Sequence, residues 1–173
     1  MRTLLAVALL AVLALAALLA MRAGWVRRER RTYSLLPALP PVPAVEHLGA
    51  VRQPPVALTY VSTSTGGEWL ERVVAHGLGS PCAAVVTVHD AGVSISRVGA
   101  PALFIPAAAV RGVDAVAGVA GKVTGGRRLL RLRWQWGSAT LDTGLLPRRD
   151  ADRTNLMAAL RTLSAADANE EVA

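Results

Sequence analysis

The chain opens with one long apolar run. Residues Thr3 to Met21 carry no charge, and these nineteen residues cover nearly all of a ~30 Å hydrocarbon core at about 1.5 Å rise each. The run predicts a single N-terminal transmembrane helix of the signal-anchor kind. A cleaved signal peptide is the alternative, but its apolar region usually spans only about 7–15 residues. The small-x-small triplet Ala14-Leu15-Ala16 lies inside the run, which favours the anchor.

After Pro55 the apolar positions fall into short runs separated by Gly, Asp and Pro, a pattern typical of β-strands. Asp90-Ala91-Gly92 predicts a hairpin loop, and Trp136-Gly137-Ser138 breaks the last pair of runs. The segment Trp69–His76 fits either a strand or one or two helical turns. The seven predicted strands are Val56–Thr63, Ala83–His89, Val93–Arg97, Leu103–Ile105, Val110–Val116, Leu129–Trp136 and Thr140–Thr143.

One amphipathic helix follows the strands. Leu156, Leu160 and Leu163 recur at i, i+4 and i+7 and form a single apolar stripe. Either Asp150 or Asp152 is suited to cap the first turn. We therefore expect a mostly β domain that is closed by one C-terminal α-helix.

Alternation is clearest in the predicted strand Leu129–Trp136. Leu130, Leu132, Trp134 and Trp136 share one parity, whereas Arg131, Arg133 and Gln135 share the other. Successive side chains of a strand point to opposite faces, so one face is predicted to be core and the other to be wet. The two arginines fit either part of a basic groove or an ordinary solvated face.

A proline-rich segment separates the apolar run from the strands. Ser34–Pro55 contains six prolines, which deny it regular helix or central strand and predict a semi-stiff spacer. The sequence therefore divides into an anchor with a basic flank (1–27), a basic and then proline-rich linker (28–55), one domain (56–165) and an acidic, disordered tail (166–173).

The net charge of +7 belongs mainly to the membrane flank. Residues 1–31 hold six arginines against one glutamate, and the remainder holds thirteen basic against eleven acidic side chains. A domain so close to neutral does not favour nucleic-acid binding, which depends on many phosphate contacts.

Positive charge marks the cytoplasmic side of a membrane helix, so we expect a single-pass plasma-membrane protein with a cytoplasmic C-terminal domain. The residues of this flank are Arg22, Trp25, Arg27, Arg28, Arg30 and Arg31.

The residues that carry chemistry form no motif. Cys82 is the only cysteine, so it can form neither an intrachain disulfide nor a zinc site of cysteines, and we expect it to be buried. The three histidines, His47, His76 and His89, lack the spacing of metal ligands.

Nucleotide-binding and hydrolase motifs fail as well. Gly121-Lys122 is followed by Val123, which does not fit a phosphate-binding P-loop. A serine hydrolase would need Ser80 or Ser94 with His89 and Asp90, but GxSxG is absent and neighbouring His and Asp do not make a triad. We therefore expect no enzyme, no cofactor and no metal.

Four segments resemble the pleckstrin-homology-like (PH-like) domain of actinobacterial membrane-anchored proteins. They are GEWLERVVAHGLG (Gly67–Gly79), GVSISRVGAPALFIP (Gly92–Pro106), VAGK (Val119–Lys122) and LDTG (Leu141–Gly144). The resemblance covers about residues 56–164 and implies a PH-like split β-barrel behind an N-terminal anchor. Such proteins are often encoded among pyrimidine-biosynthesis genes and are sometimes labelled transporters or export proteins, although a single span offers no conduction path.

Two functions remain open from the sequence. The first is a non-enzymatic interaction or scaffold module that recruits an unidentified protein partner to the membrane, as the use of PH-like folds for recognition suggests. The alternative is a domain that binds anionic phospholipid headgroups in the bilayer. The candidate contacts for lipid or partner are Lys122, Arg127, Arg128 and Arg131, because the loop Gly121–Arg128 presents several positive charges together.

Overall fold

The structure is a computed structural model that describes residues 9–24, 38–67, 72–119, 122–123 and 128–170. Side chains are described in these ranges except at 118–119, 122–123 and 165–170.

Residues 9–24 form a helix, α1, whose side chains are all exposed. Within the described part of the chain, none of the helices has the length and apolar character that a membrane crossing requires. The predicted span Thr3–Met21 begins outside the described residues. Of the predicted membrane flank, Arg22 lies exposed on α1, whereas Trp25, Arg27, Arg28, Arg30 and Arg31 lie outside the described residues.

Seven strands form one antiparallel sheet in the order β4-β3-β2-β1-β9-β8-β5. Every predicted strand is confirmed, with the first and last longer than expected. Two further short strands pair with each other between β5 and β8. The bounds are β1 Val51–Thr65, β2 Cys82–His89, β3 Gly92–Arg97, β4 Leu103–Pro106, β5 Val110–Val116, β6 Gly118–Val119, β7 Lys122–Val123, β8 Leu129–Trp136 and β9 Ala139–Pro147.

The long strand β1 joins the two halves of the sheet. Val51 to Tyr60 pair with β2, and Leu58 to Thr65 pair with β9. The strand begins five residues before the predicted Val56. Pro54 and Pro55 fit there because the pairing with β9 has not yet begun and the register with β2 shifts between Gln53 and Val56.

Part of the proline-rich segment lies against the domain. Leu39 packs against the core, Val45–His47 form a 3-10 turn, and Leu48 is buried. Leu48 and Ala50 accept backbone hydrogen bonds from the β2–β3 hairpin, at the amides of Ala91 and Asp90. The predicted linker 28–55 is therefore part of the folded domain at least from Leu39 onward.

The C-terminal helix α2, Asp150–Glu170, closes the core as predicted, but it continues through residues 166–170, which were predicted to belong to a disordered tail. Leu156, Leu160 and Leu163 are at most 1% exposed and join one cluster with the inner side chains of the sheet. Burial of each such leucine stabilises the fold by roughly 1.5–3 kcal/mol. Asp150 and Asp152 lie in the first turn, where the helix dipole favours negative charge.

The alternation predicted for β8 is only partly confirmed. Leu130, Leu132 and Trp134 are fully buried, but Trp136 is half-buried. Leu129, on the face expected to be wet, is also buried and packs against Val61 of β1. The half-buried Val116 and Leu146 complete this second, smaller apolar cluster.

The connection between β1 and β2 combines both structures that the sequence left open. Arg72 forms an isolated bridge with Ser64, and Ala75–Gly77 form a 3-10 turn. Trp69 lies outside the described residues. Cys82, expected to be buried, is half-buried at the start of β2 and packs against the core.

Candidate functional site

An arginine-lined cleft lies where the end of β9 turns into α2. Its volume is about 790 Å³. The floor is formed by the half-buried Thr59 and Leu146 and the buried Pro147. Three arginines and one aspartate complete the lining, namely Arg128, Arg148, Arg153 and Asp150. We call this feature the arginine cleft.

The positive charge of the arginine cleft is not neutralised by its own carboxylate. Arg153 pairs with Asp150 at 3.2 Å. Arg128 and Arg148 are exposed, and among the described residues neither has an ion-pair partner. Arg148 and Arg153 also lie next to the first turn of α2, where the helix dipole disfavours cations by about 0.3–1 kcal/mol each. This arrangement favours an anionic ligand.

The structure brings one predicted contact residue into the cleft. Arg128 lines it directly before β8. Arg131 does not line it, and its guanidinium pairs instead with Asp114 of β5 at 2.8 Å. The side chains of Lys122 and Arg127 lie outside those that the structure describes.

The other arginine of the predicted wet face is also paired. Arg133 donates from Nε and Nη2 to both carboxylate oxygens of Asp142, at 2.8 and 3.0 Å. This carboxylate holds the pKa of Arg133 above its usual value. Because Arg131 and Arg133 each face an acid on a neighbouring strand, the β8 face is a row of ion pairs and not a basic groove.

A second polar cluster, centred on Arg97, connects two loops of the domain. The buried Arg97 donates to the carbonyls of Pro101 at 2.8 Å, Gly77 at 2.7 Å and His76 at 3.2 Å. Its guanidinium lies 5.1 Å from the ring centre of Tyr60. Arg97 therefore joins the β1–β2 and β3–β4 connections, and its donors are used in holding the fold.

Tyr60 is the group whose ionisation the fold alters most clearly. Its ring is fully buried, and burial raises the pKa of its phenol to about 12. The hydroxyl lies 2.7 Å from Thr63 Oγ1 and donates to the carbonyl of Leu78 at 2.9 Å. At neutral pH this phenol is protonated and already hydrogen-bonded, so Tyr60 has a structural role and does not act as a general base.

The residues that a serine hydrolase would need are not assembled into a triad. The Asp90 carboxylate accepts hydrogen bonds from Arg52 Nε at 2.7 Å and from the Ala50 amide at 2.9 Å. Within the described residues, His89 Nδ1 and Ser94 Oγ have no hydrogen-bond partner. The acid is therefore engaged with the β1 segment and does not orient the histidine.

Sequence reasoning missed Arg148 and Arg153. The available signal was the Pro147-Arg148-Arg149 run just before a predicted helix, because arginines are poorly placed at a helix N-terminus unless an anion is present. Arg148 and Arg153 come close to Arg128 and Thr59 only because β1, β8 and β9 pair in the sheet. No short sequence pattern indicates this proximity.

A family model described as bacterial PH domain-like matches residues 36–161. A search of curated proteins found no significant match. The matched range includes all seven strands of the sheet, the arginine cleft and the apolar stripe of α2 up to Leu160.

Proposed function

The chain belongs to the bacterial PH domain-like family, and we propose that it is a single-pass, membrane-anchored, non-enzymatic module that recruits a protein partner through the arginine cleft. Membership of this family suggests a protein or lipid interaction module. The main support for recruitment of a protein partner is the arginine cleft, a recess of about 790 Å³. Two arginines without an ion-pair partner among the described residues face this recess.

The chemistry of the cleft indicates what it binds. Arginine presents a planar fork of donors that matches a carboxylate or phosphate in two parallel hydrogen bonds. Arg128 and Arg148 have no ion-pair partner within the described chain, and Arg153 lines the same recess while it pairs with Asp150. An acidic group that enters the cleft replaces water at guanidiniums that the fold leaves exposed.

The shape of the cleft favours a protein over a bilayer. A flat lipid surface contacts protruding groups, whereas Thr59 and Leu146 are recessed, half-buried side chains on the floor of the cleft. Arginine is also enriched in protein interfaces. A partner side chain that projects from a folded or extended segment reaches such a floor.

The proposed tether is the N-terminal apolar run with its arginine flank, which places the domain on the cytoplasmic side. Leu39 is the first described residue of the linker that packs on the core. The chain between residue 24 and Leu39 spans at most about 50 Å when fully extended, so the domain works close to the membrane. Protease treatment of intact cells tests this placement, and digestion of the domain without lysis would contradict it.

Site-specific photocrosslinking in cells tests the recruitment proposal. A photoreactive phenylalanine replaces Thr59 in the floor of the cleft, and in the control it replaces Thr87, which is half-buried on β2 outside the cleft. We expect a discrete protein adduct from position 59 and none from position 87. Equal adducts from both positions would contradict a binding site in the cleft.

The same experiment separates the lipid alternative. The guanidiniums of Arg128 and Arg148 would also hold the phosphate of a lipid headgroup. Mass spectrometry of the product at position 59 distinguishes the two, since a lipid adduct adds the mass of one phospholipid and a protein adduct adds far more. Lipid adducts without protein adducts would replace recruitment by headgroup binding.

A further inference from the structure

A shallow apolar groove continues from the arginine cleft over the outer face of β1, β2 and β3. Its volume is about 280 Å³. The walls include Ala57, Ala83, Val85 and Val98, all exposed, with Val85 at 40% and Val98 at 71%. Small side chains on a sheet face leave a depression that an aliphatic side chain fills.

The groove and the cleft share a residue and a strand. Arg148 lines both of them. Ala57 in the groove and Thr59 in the cleft lie two residues apart on β1, on the same outward face, which separates them by about 7 Å. An extended ligand repeats its side chains on one face at the same interval.

We infer that the ligand is an extended peptide segment that carries an acidic residue and an aliphatic residue two positions apart. The carboxylate binds the guanidiniums at Arg148 and Arg128, and the aliphatic side chain lies in the groove, over the paired residues Ala57 and Val85. Charge complementarity supports this ligand, because the arginines beside the groove favour a carboxylate next to the aliphatic side chain. An apolar groove alone would not favour one. The inference rests on the proposed function and specifies the partner's recognition sequence.

A random peptide library tests the spacing directly, and the partner need not be identified first. Phage that display twelve-residue peptides are selected against the full chain in nanodiscs of phosphatidylcholine. We expect enrichment of Asp or Glu two positions from Val, Leu or Ile. Selected peptides that lack either residue class, or that show no fixed spacing, would overturn the inference, and so would a selection that yields no binder.

Paired substitutions then assign the two halves of the peptide. In an enriched peptide, replacing the acidic residue by its amide or the aliphatic residue by Ser is expected to raise Kd about tenfold or more. In the protein, Val85→Ser is expected to raise Kd at least about fivefold, whereas Val51→Ser, exposed outside the groove, stays within about twofold. Equal effects of the two protein variants would overturn the role of the groove.

Failure of the inference is distinguishable from failure of the proposed function. If Arg148→Glu abolishes peptide binding while Val85→Ser and loss of the aliphatic residue change nothing, the cleft binds acid alone and recruitment stands. If the Kd of the selected peptides is more than about tenfold higher in phosphatidylglycerol nanodiscs than in phosphatidylcholine nanodiscs, anionic lipid competes for the surface. That result would assign the surface to lipid. A selected peptide that matches a segment of this chain would instead indicate a second copy as the occupant.

Discussion

The indole Nε1 of Trp134 donates a 2.9 Å hydrogen bond to Oγ1 of Thr143. Oγ1 of Thr143 lies 2.8 Å from that of Thr63, which lies 2.7 Å from the hydroxyl of Tyr60, and this hydroxyl donates to the Leu78 carbonyl. An indole only donates and a carbonyl only accepts. The hydroxyl protons of Thr143, Thr63 and Tyr60 must therefore all point away from Trp134 and toward Leu78. Every donor in this buried series of hydrogen bonds then has an acceptor.

The direction of these hydrogen bonds predicts that two similar substitutions reduce the free energy of unfolding by different amounts. Thr143→Val leaves the buried indole N–H without its acceptor and should reduce the free energy of unfolding by about 1–3 kcal/mol. Thr63→Val leaves the Thr143 hydroxyl without its acceptor, but a hydroxyl proton rotates toward other acceptors whereas the indole N–H is fixed in the plane of its ring, so this variant should cost less. Urea unfolding of both variants checks the order, and the reverse order would refute the assigned direction.

Tyr60 predicts a loss of stability at alkaline pH. Its pKa in the folded chain is about 12, against about 10 in the unfolded chain. Between these values the unfolded state has released the proton and the folded state still holds it, so stability falls as pH rises from 10 to 12, by about 2–3 kcal/mol in all. Unfolding free energies of the wild type and Tyr60→Phe, measured across this interval, should converge as pH rises; parallel curves would count against the raised pKa.

Two arginines on β8 provide a matched test of burial. Arg133 pairs with Asp142, whose side chain is 7% exposed, and Arg131 pairs with Asp114, whose side chain is 57% exposed. Arg133→Met strands a buried carboxylate and should cost about 2–3 kcal/mol, whereas Arg131→Met should cost under about 1 kcal/mol. Thermal and urea unfolding measure both, and similar losses would show that the two ion pairs are equivalent.

The Arg52–Asp90 pair predicts an acid-sensitive attachment of the segment before β1. The hydrogen bond from Arg52, together with that from the Ala50 amide, holds the pKa of Asp90 below its usual value. The contact is therefore complete above the unfolded pKa of about 3.9 and is lost as pH falls through the folded value. The Ala50 amide signal, followed by NMR, should titrate below pH 3.9 and shift its midpoint upward in Arg52→Ala. An unchanged midpoint would show that Arg52 does not set it.

The strands and the closing helix were predictable because their signals are local. Gly92 after Asp90 marks the hairpin, and Leu156, Leu160 and Leu163 alone define the apolar stripe of α2. The start of β1 was missed because Pro54 and Pro55 are tolerated only where one strand edge is unpaired, which depends on where β9 begins to pair.

The candidate site was less accessible to sequence reasoning. Arg128 was identified by its basic loop, but the acids that neutralise Arg131 and Arg133 come from neighbouring strands. Thr59, Arg128 and Arg148 lie far apart in the chain and meet only through the sheet order. Local charge density therefore included Arg131, which pairs with Asp114, and gave no weight to Arg148.

Charge reversal at adjacent positions tests the central claim most directly. Arg148 lines the cleft, and Arg149 beside it is also exposed but does not line it, so the two variants change the net charge equally and at adjacent positions before α2. With the photoreactive residue at position 59, Arg148→Glu should reduce the protein adduct in cells by about tenfold or more, and Arg149→Glu should leave it within about twofold. An adduct that survives Arg148→Glu, or that both variants reduce equally, would contradict recognition by the arginine cleft.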